Sequence, residues 1–402
     1  MRYKLSVPAV LIVVFVVGVC AVFAWSDGAY SSSPPQGIID TVAGGGSGCT
    51  EPCPATSAAL QPPYDVERDM WGNLYVADYG NARVRKVDNA GILTIVAGNG
   101  SPGVEGDGGL ATSAQVGNPH AVAADHQGNL YIAQYGPQRV RKVNTSGVIS
   151  TIAGGGGGCG RPCLATSAAL DYPSGMTIDA SGNLFIAEQG GLVSKVDSSG
   201  IISTVAGGGL GCTEPCPATQ ASLNSTTPTD LSLDSSGNLY IAEYSGNVRK
   251  VDPSGIITTV VNLGADAVEV DAWDNLYIAT GCRIVKRAPG GDVSTVAGSN
   301  SECGFSGDGG PATDALMGTA AGVAPGSSGG FYIADNGNNR IREVGGSFVG
   351  GIAEYPQLEP SATSDVGGSS GPNALSPAGL ATVAALLLAA GAWYARRRWR
   401  AG

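Results

Sequence analysis

The stretch Gly72-Asn73-Leu74-Tyr75-Val76-Ala77-Asp78, followed by Asn81-Ala82-Arg83-Val84-Arg85-Lys86-Val87-Asp88, recurs throughout this 402-residue chain. Related copies start at Asn129, Asn183, Asn238, Asn275 and Gly330. Successive copies are 56, 54, 55, 37 and 55 residues apart, so there are six copies and one is abbreviated. A fixed period of this length is typical of a solenoid or a propeller.

Each copy contains four short apolar runs that have the pattern of β-strands. Within 74–77, Leu and Val alternate with Tyr and Ala, a period of two that indicates a strand. The run 83–87 follows a short turn and completes a hairpin. A further run precedes each hairpin, as at 121–125, and another follows it, as at 92–98. Because four-stranded units repeated radially are propeller blades, the sequence predicts an all-β, six-bladed β-propeller.

The repeated pattern also resembles a known family. G-N-L-Y-[VI]-A-D followed by N-x-R-[VI]-R-K-V-D, with T-V-A-G closing the blades, resembles the NHL repeat over residues 37–353. The G-D-G-G-x-A-T-x-A loops at 106–114 and 307–315 resemble those of bacterial extracellular NHL proteins and of the NHL portion of teneurins. Blade five departs most, because Thr280 replaces an acidic or amide residue and its connecting loop is short.

The two ends of the chain are unlike the repeats. Residues 1–25 carry two basic residues and a long apolar run, which predicts a signal peptide or an N-terminal anchor before the propeller at 37–355. Residues 356–377 predict a Pro/Ser/Gly-rich stalk. Residues 378–395 predict a transmembrane helix, and the arginine-rich tail 396–402 is expected on the cytoplasmic side. The C-terminal segment also resembles sorting signals that are cut and replaced by another anchor. We therefore expect an extracytoplasmic propeller anchored at the cell surface.

The charge of the chain argues against a nucleic-acid partner. Six of the 22 basic residues lie at the apolar ends: Arg2, Lys4, Arg396, Arg397, Arg398 and Arg400. The rest of the chain has 16 basic and 33 acidic residues, a net charge of −17. Such a body repels phosphate, so no nucleic acid is expected as a partner.

Apart from Cys20, the chain has eight cysteines, an even number, which in an exported chain predicts disulfides. Six form three C-x-x-x-C pairs, and the other two are in blade five; the eight are Cys49, Cys53, Cys159, Cys163, Cys212, Cys216, Cys282 and Cys303. Zinc is the rival interpretation, but each site lacks a second local pair and the chain has two histidines. Cys282 and Cys303 are expected on one face of the propeller, which makes a bridge between them reasonable. The G-D-G-G loops occupy the same inter-blade position as the C-x-x-x-C loops, and this interchange favours a structural role for both.

One strand lacks a blade of its own. Residues 38–43 resemble a fourth strand but precede any first strand, so we expect them to complete blade six and close the ring. Residues 348–352 compete for the same place.

Two groups of charged residues have a structural interpretation. Asp78 and Asp335 end second strands opposite Arg83 and Arg340, and Gln134, Glu188 and Glu243 hold the equivalent place, which predicts pairs across each hairpin. Several carboxylates lie near first strands: Glu67, Asp125, Asp179, Asp230, Asp234, Glu269 and Asp271. Of these, Asp125, Asp179, Asp234 and Asp271 recur just before a turn, where Asp commonly caps the backbone.

These residues leave two classes of function open. Lyases of similar fold use several histidines, whereas this chain has His120 and His126 in one blade. Lactonases of similar shape use carboxylates and an amide around calcium, and Asp107 or Asp308 could each give one oxygen where calcium needs six to eight. Aromatic content is low, so no stacking platform is expected. We expect a binding or scaffold module for a protein or other surface ligand, with no catalytic or metal-binding residues, no cofactor, and binding residues that the pattern does not identify. The alternative is a calcium-dependent lactonase or lyase acting at the channel mouth.

Overall fold

The computed structural model describes residues 37–223, 227–299, 302–326 and 329–345. The predicted signal segment 1–25, stalk 356–377, transmembrane helix 378–395 and tail 396–402 lie outside the described residues, as does the competing strand 348–352. Among the described residues there is no helix long and apolar enough to cross a bilayer.

The described residues form six antiparallel sheets, the six blades of a β-propeller. The first strand of the described residues is β1 (Ile38–Gly44). Blade one contains β2 (Cys53–Pro54), β3 (Pro63–Arg68), β4 (Leu74–Asp78), β5 (Arg83–Val87) and β6 (Ile92–Ala97). Blade two contains β7 (Pro119–Ala124), β8 (Leu130–Gln134), β9 (Arg139–Val143) and β10 (Ile149–Gly154). Blade three contains β11 (Cys163–Leu164), β12 (Pro173–Ile178), β13 (Leu184–Glu188), β14 (Leu192–Val196) and β15 (Ile201–Gly207).

The last three blades repeat this plan. Blade four contains β16 (Cys216–Pro217), β17 (Pro228–Leu233), β18 (Leu239–Glu243), β19 (Val248–Val251) and β20 (Ile256–Val261). Blade five contains β21 (Ala267–Val270), β22 (Leu276–Thr280), β23 (Arg283–Arg287) and β24 (Val293–Gly298). Blade six contains β25 (Gly310–Pro311), β26 (Ala320–Pro325), β27 (Phe331–Asp335) and β28 (Arg340–Val344). Short 3-10 turns occur at Ala55–Ser57, Tyr79–Asn81, Ala111–Ser113, Ala165–Ser167, Ala218–Gln220, Ala312–Asp314 and Asn336–Asn338.

The ring is closed by the N-terminal strand, as the sequence predicted. β1 pairs antiparallel with β28, with Ile39 opposite Val344 and Gly44 opposite Arg340. Its Ile39 and Ala43 are fully buried, and Val42 is nearly so. Ile39 thus packs with apolar residues of blades five and six, and Val42 and Ala43 pack with those of blades six and one. The two ends of the described propeller are therefore joined by backbone hydrogen bonds.

The first strands of the blades contact one another in a closed ring around the central channel. Their facing positions read Asp65, Ala121, Gly175, Asp230, Ala267 and Gly322, so Asp-Ala-Gly occurs twice. Asp65 accepts a hydrogen bond from the Val122 amide of the next blade (2.9 Å), and Asp230 accepts one from the Val268 amide (3.1 Å). A Cβ at Gly322 would lie 2.8 Å from an Asp65 oxygen, so glycine is required for this close approach.

The inter-blade loops are tied to the blades by disulfides and by buried arginines. All four predicted bridges form: Cys49–Cys53, Cys159–Cys163, Cys212–Cys216 and Cys282–Cys303. A loop acid meets a buried arginine of the third strand in four blades: Glu51 with Arg85, Asp107 with Arg141, Glu214 with Arg249 and Asp308 with Arg342. Blade three reverses the charge, because loop Arg161 pairs with Glu188 at 2.7 Å and donates to Ser194 on the third strand.

The acids that end the second strands pair with other arginines than those predicted. Asp78 lies opposite Arg83 in the ladder, but it forms its ion pair with Arg85, at 2.9 Å. Asp335 likewise approaches Arg342, at 3.9 Å. Residues two apart in a strand share a face, so both arginines of the R-V-R pattern lie on the same side of the sheet. The second arginine of the pattern is the one that lies inside the protein.

Replacing Ile39 with Ala tests ring closure against a matched neighbour on the same strand. Ile39 is fully buried, whereas Ile38 is 47% exposed. Ile39→Ala should lower the free energy of unfolding by about 3 kcal/mol, and Ile38→Ala by less than about 1 kcal/mol. Chemical denaturation of both variants measures the difference. Equal, small losses would contradict closure of the ring by β1.

Candidate functional site

A cavity of about 610 Å³ lies at the channel end where the first strands terminate. Its wall comes from the first strands of several blades, and its apolar part includes Ala123, Met176, Ile178, Leu233 and Pro325. Trp273, 58% exposed, stands at its rim on the turn after β21. Its volume lies in the range of small-molecule sites, and its lining combines apolar and charged groups.

Two glutamates provide the polar part of this cavity. Glu67 on β3 and Glu269 on β21 both line it and remain partly accessible to solvent. Ala324 of blade six holds the equivalent place between them. Glu67 accepts hydrogen bonds from the Ala124 and Arg68 amides. Glu269 accepts a hydrogen bond from the Ser232 hydroxyl at 3.0 Å.

Burial and mutual repulsion disfavour ionisation of the carboxyl groups in the channel. Burial raises the pKa of Glu67 to about 8, and the Asp65 carboxylate adds to this shift. Burial also raises the pKa of Asp65 to about 6 and the pKa of both Asp230 and Glu269 well above the usual range. Removing carboxylates from water and placing them near one another both favour the protonated form. At neutral pH, Glu67 therefore holds a proton.

The aspartates just before the first turns cap those turns, as their recurrence indicated. Asp125 Oδ1 accepts hydrogen bonds from the amides of Gln127 and Asn129, at 3.0 and 2.8 Å, while Oδ2 accepts from the Asn129 side chain. The same arrangement recurs at Asp69, Asp179, Asp234 and Asp271. These carboxylates hold the channel rim rigid.

The opposite end of the channel contains an aromatic arc, defined as Tyr64, Tyr79, His120, Tyr135 and Tyr172. Its ring centroids are 4.6 Å apart for Tyr64 and His120, 5.1 Å for His120 and Tyr135, and 4.9 Å for Tyr135 and Tyr172. The expectation that no stacking platform forms is therefore wrong. Low overall aromatic content did not reveal that these rings, from three blades, meet at one end of the channel.

The two histidines lie at opposite ends of the channel. His126 lines the cavity, whereas His120 belongs to the aromatic arc. Burial lowers the pKa of His120 to about 4, so its ring is neutral at physiological pH. Its Nδ1 donates a hydrogen bond to the Ser174 carbonyl at 2.7 Å, because a carbonyl only accepts.

The two aspartates considered as calcium ligands, Asp107 and Asp308, both have partners within the protein. Asp107 is engaged by Arg141 and the Thr151 amide, and Asp308 by Arg342 and Thr41. Asp65 and Asp230 accept hydrogen bonds from backbone amides. Within the described ranges, no three His, Cys, Asp or Glu side chains converge as metal ligands.

Comparison with known proteins relates the chain to the teneurins. It is 28% identical to mouse Teneurin-4 and 26% identical to human Teneurin-1, in each case over 68% of this chain and 10% of the relative. The chain thus spans about a tenth of the length of these relatives. No family model matches. The repeat pattern, the six blades and this similarity agree. The chain is a six-bladed β-propeller whose repeats fit the NHL pattern.

Solved structures share the propeller fold at low sequence identity. A Bacteroides thetaiotaomicron protein of unknown function has a TM-score of 0.57 and 16% identity, covering 77% of this chain and 76% of that one. An auxiliary nutrient binding protein from the same organism has a TM-score of 0.55 and 14% identity, with the same coverage. A gluconolactonase from Xanthomonas campestris has a TM-score of 0.52 and 11% identity, covering 77% and 90%. These likenesses concern the fold alone.

Replacing Glu67 with Gln tests the buried carboxyl group. Between about pH 4.5 and pH 8 the unfolded chain loses the Glu67 proton while the folded protein retains it, so stability should fall as pH rises. Glu67→Gln removes this contribution, and the variant should gain on the order of 3 kcal/mol relative to the parent across that range. Thermal unfolding at several pH values measures it.

The exposed Glu105 provides the control for that series. Glu105→Gln makes the same chemical change at an exposed position, so it should alter the free energy of unfolding by less than about 0.5 kcal/mol. If the Glu67→Gln curve also runs parallel to the parent, Glu67 is already ionised in the folded protein.

Proposed function

We propose that this NHL propeller is an extracytoplasmic binding module that takes a small ligand into the 610 Å³ cavity at one end of its channel. The observation that carries this proposal is a cavity in which Glu67 and Glu269 lie beside apolar side chains of the first strands. Among the described residues neither carboxyl group caps a turn or forms an ion pair, unlike buried acids such as Asp69, Asp78 and Glu188.

The energetics of these glutamates support the proposal. Holding two partly buried carboxyl groups close to Asp65 and Asp230 destabilises the folded protein at neutral pH. At the equivalent ring positions the chain places Ala123, Thr177, Ser232 and Ala324, so the fold accepts small uncharged residues there. Costly polar groups that the fold does not require are typical of functional sites.

Filling the cavity tests this function without assuming a ligand class. We expect a library of neutral, anionic and cationic fragments, screened by ligand-observed NMR, to give hits on the parent that Leu233→Trp abolishes. Leu233 lines the cavity, whereas Leu210 is fully exposed on a loop. Leu210→Trp should therefore retain the hits. Hits unaffected by Leu233→Trp would place ligand binding elsewhere.

We also propose that residues 378–395 tether the propeller to a membrane and that the propeller lies outside the cytoplasm. Support comes from the length and apolarity of this segment, the arginines that follow it, and the four disulfides of the blades. A chain ending at residue 377 should move from the membrane fraction to the soluble exported fraction. Retention of that chain in membranes would assign the tether to the N-terminal segment.

A hydrolytic enzyme is the second candidate, and one observation favours it. A carboxyl group with a pKa of about 8 holds a proton at neutral pH and can act as a general acid, a role open to Glu67. We expect lactone hydrolysis to stay at background with or without calcium. Turnover that Glu67→Gln abolishes, while Glu105→Gln leaves it intact, would favour the enzyme.

A further inference from the structure

We propose that the cavity binds a small organic cation, an alkylammonium group attached to an apolar body. This inference rests on the proposed function, because it names the ligand class of the same cavity. It is carried by three features that converge there: carboxyl groups on its polar side, an apolar wall, and an exposed tryptophan at the rim.

The charges around the cavity favour a cation. Its lining includes five acids, Glu67, Asp69, Asp125, Glu269 and Asp271. Facing Glu67 from the channel are Asp65 on the same strand, Asp230 on β17 and Glu269 on β21. A cation entering here would favour ionisation of these carboxyl groups and pair with the resulting carboxylate, whereas an anion would oppose it.

The basic groups at this mouth do not reverse that balance. Arg68 is the one arginine or lysine in the lining, and it interacts with Tyr332 and Glu343 of blade six. His126 is exposed at the rim. The charge of Arg68 is therefore offset by Glu343. Glu67 and Glu269 can then pair with a positive charge of the ligand.

The uncharged residues of the lining indicate the chemistry and size of the rest of the ligand. Met176, Ile178, Leu233 and Pro325 offer apolar surface that would bury a hydrocarbon or aromatic body. Trp273 adds the aromatic ring with the strongest attraction for ammonium groups. A volume of about 610 Å³ suits a compact molecule and is too small for a folded partner.

Cation binding in this cavity should be coupled to proton release. Glu67 is protonated at neutral pH and would ionise beside a bound cation, since an opposite charge favours the carboxylate. A quaternary ammonium ligand keeps its charge at every pH, so any pH dependence of its affinity comes from the protein. We expect that affinity to rise between about pH 6 and about pH 9.

Three probes that share a phenyl group on a short alkyl chain, and differ in the charge of the polar group, test the class of ligand. Isothermal titration of the full-length chain compares 2-phenylethylamine, 2-phenylethanol and 3-phenylpropanoate, and the trimethylated amine serves for the pH series. We expect the amine to bind at least about tenfold more tightly than the alcohol, and the carboxylate not to bind. Titration of the trimethylated probe in two buffers of different ionisation enthalpy should show protons released on binding.

Matched variants locate the binding. Trp273 and Trp71 hold the same turn position in blades five and one, but Trp71 does not line the cavity. Trp273→Leu and Glu269→Gln should each weaken amine binding about tenfold, while Trp71→Leu and Glu105→Gln leave it unchanged.

Other outcomes would overturn the assignment in distinguishable ways. Equal binding of alcohol and amine, or preferred binding of the carboxylate, keeps the cavity as a site but rejects a cationic ligand. Amine binding that ignores Trp273→Leu and Glu269→Gln rejects this cavity as the amine's site. Absence of binding by all three probes rejects the cation while fragment hits lost in Leu233→Trp would still support the binding module.

Discussion

The antiparallel pairing of β1 with β28 is the interaction on which the rest of the molecule depends. Each blade buries its apolar faces against its two neighbours, so an open ring would expose two such faces and the edge of a sheet. The chain avoids these exposed surfaces because its first described strand, β1, belongs to its last blade. The contacts between first strands, and therefore the channel, exist only in the closed ring.

Closure brings together side chains that are distant in the sequence. Glu67 and Glu269 are about two hundred residues apart, yet both line one cavity because blades one and five flank blade six. The same ring brings Asp65 and Asp230 near each other from opposite blades. Their pairing with backbone amides of the next blade gives these two aspartates a structural task, which separates them from the two glutamates. The channel thus contains acids that hold the ring and acids that are open to a ligand.

Features within one repeat could be predicted from the sequence, and features between repeats largely could not. Alternation at 74–77 predicted β4, the orphan run 38–43 predicted β1, and the cysteine spacing predicted the bridges. The pairing of Asp78 with Arg85 was missed because the residue opposite Asp78 in the sheet is Arg83. The Asp78 side chain instead reaches Arg85, the next residue on the same face of that strand.

The cavity and the aromatic arc were missed for a different reason. Glu67 and Glu269 were among the candidate carboxylates and lack the turn position of the capping aspartates, but nothing local showed that they share one cavity. Aligning the six first strands gives a signal that could have found them, since Glu occurs at two of six equivalent positions and small residues at the others. Tyr64, His120 and Tyr172 come from three blades, and their stacking depends on how those blades are arranged around the channel.

The most direct test of ligand binding in this cavity is an experimental structure of the chain with 2-(4-bromophenyl)ethylamine, located by the anomalous signal of bromine. We expect the bromophenyl ring between Met176, Leu233 and Trp273, with the ammonium nitrogen within hydrogen-bonding distance of Glu67 or Glu269. A bromine peak at the aromatic arc instead, beside Tyr135 and Tyr172, with the cavity empty, would contradict it.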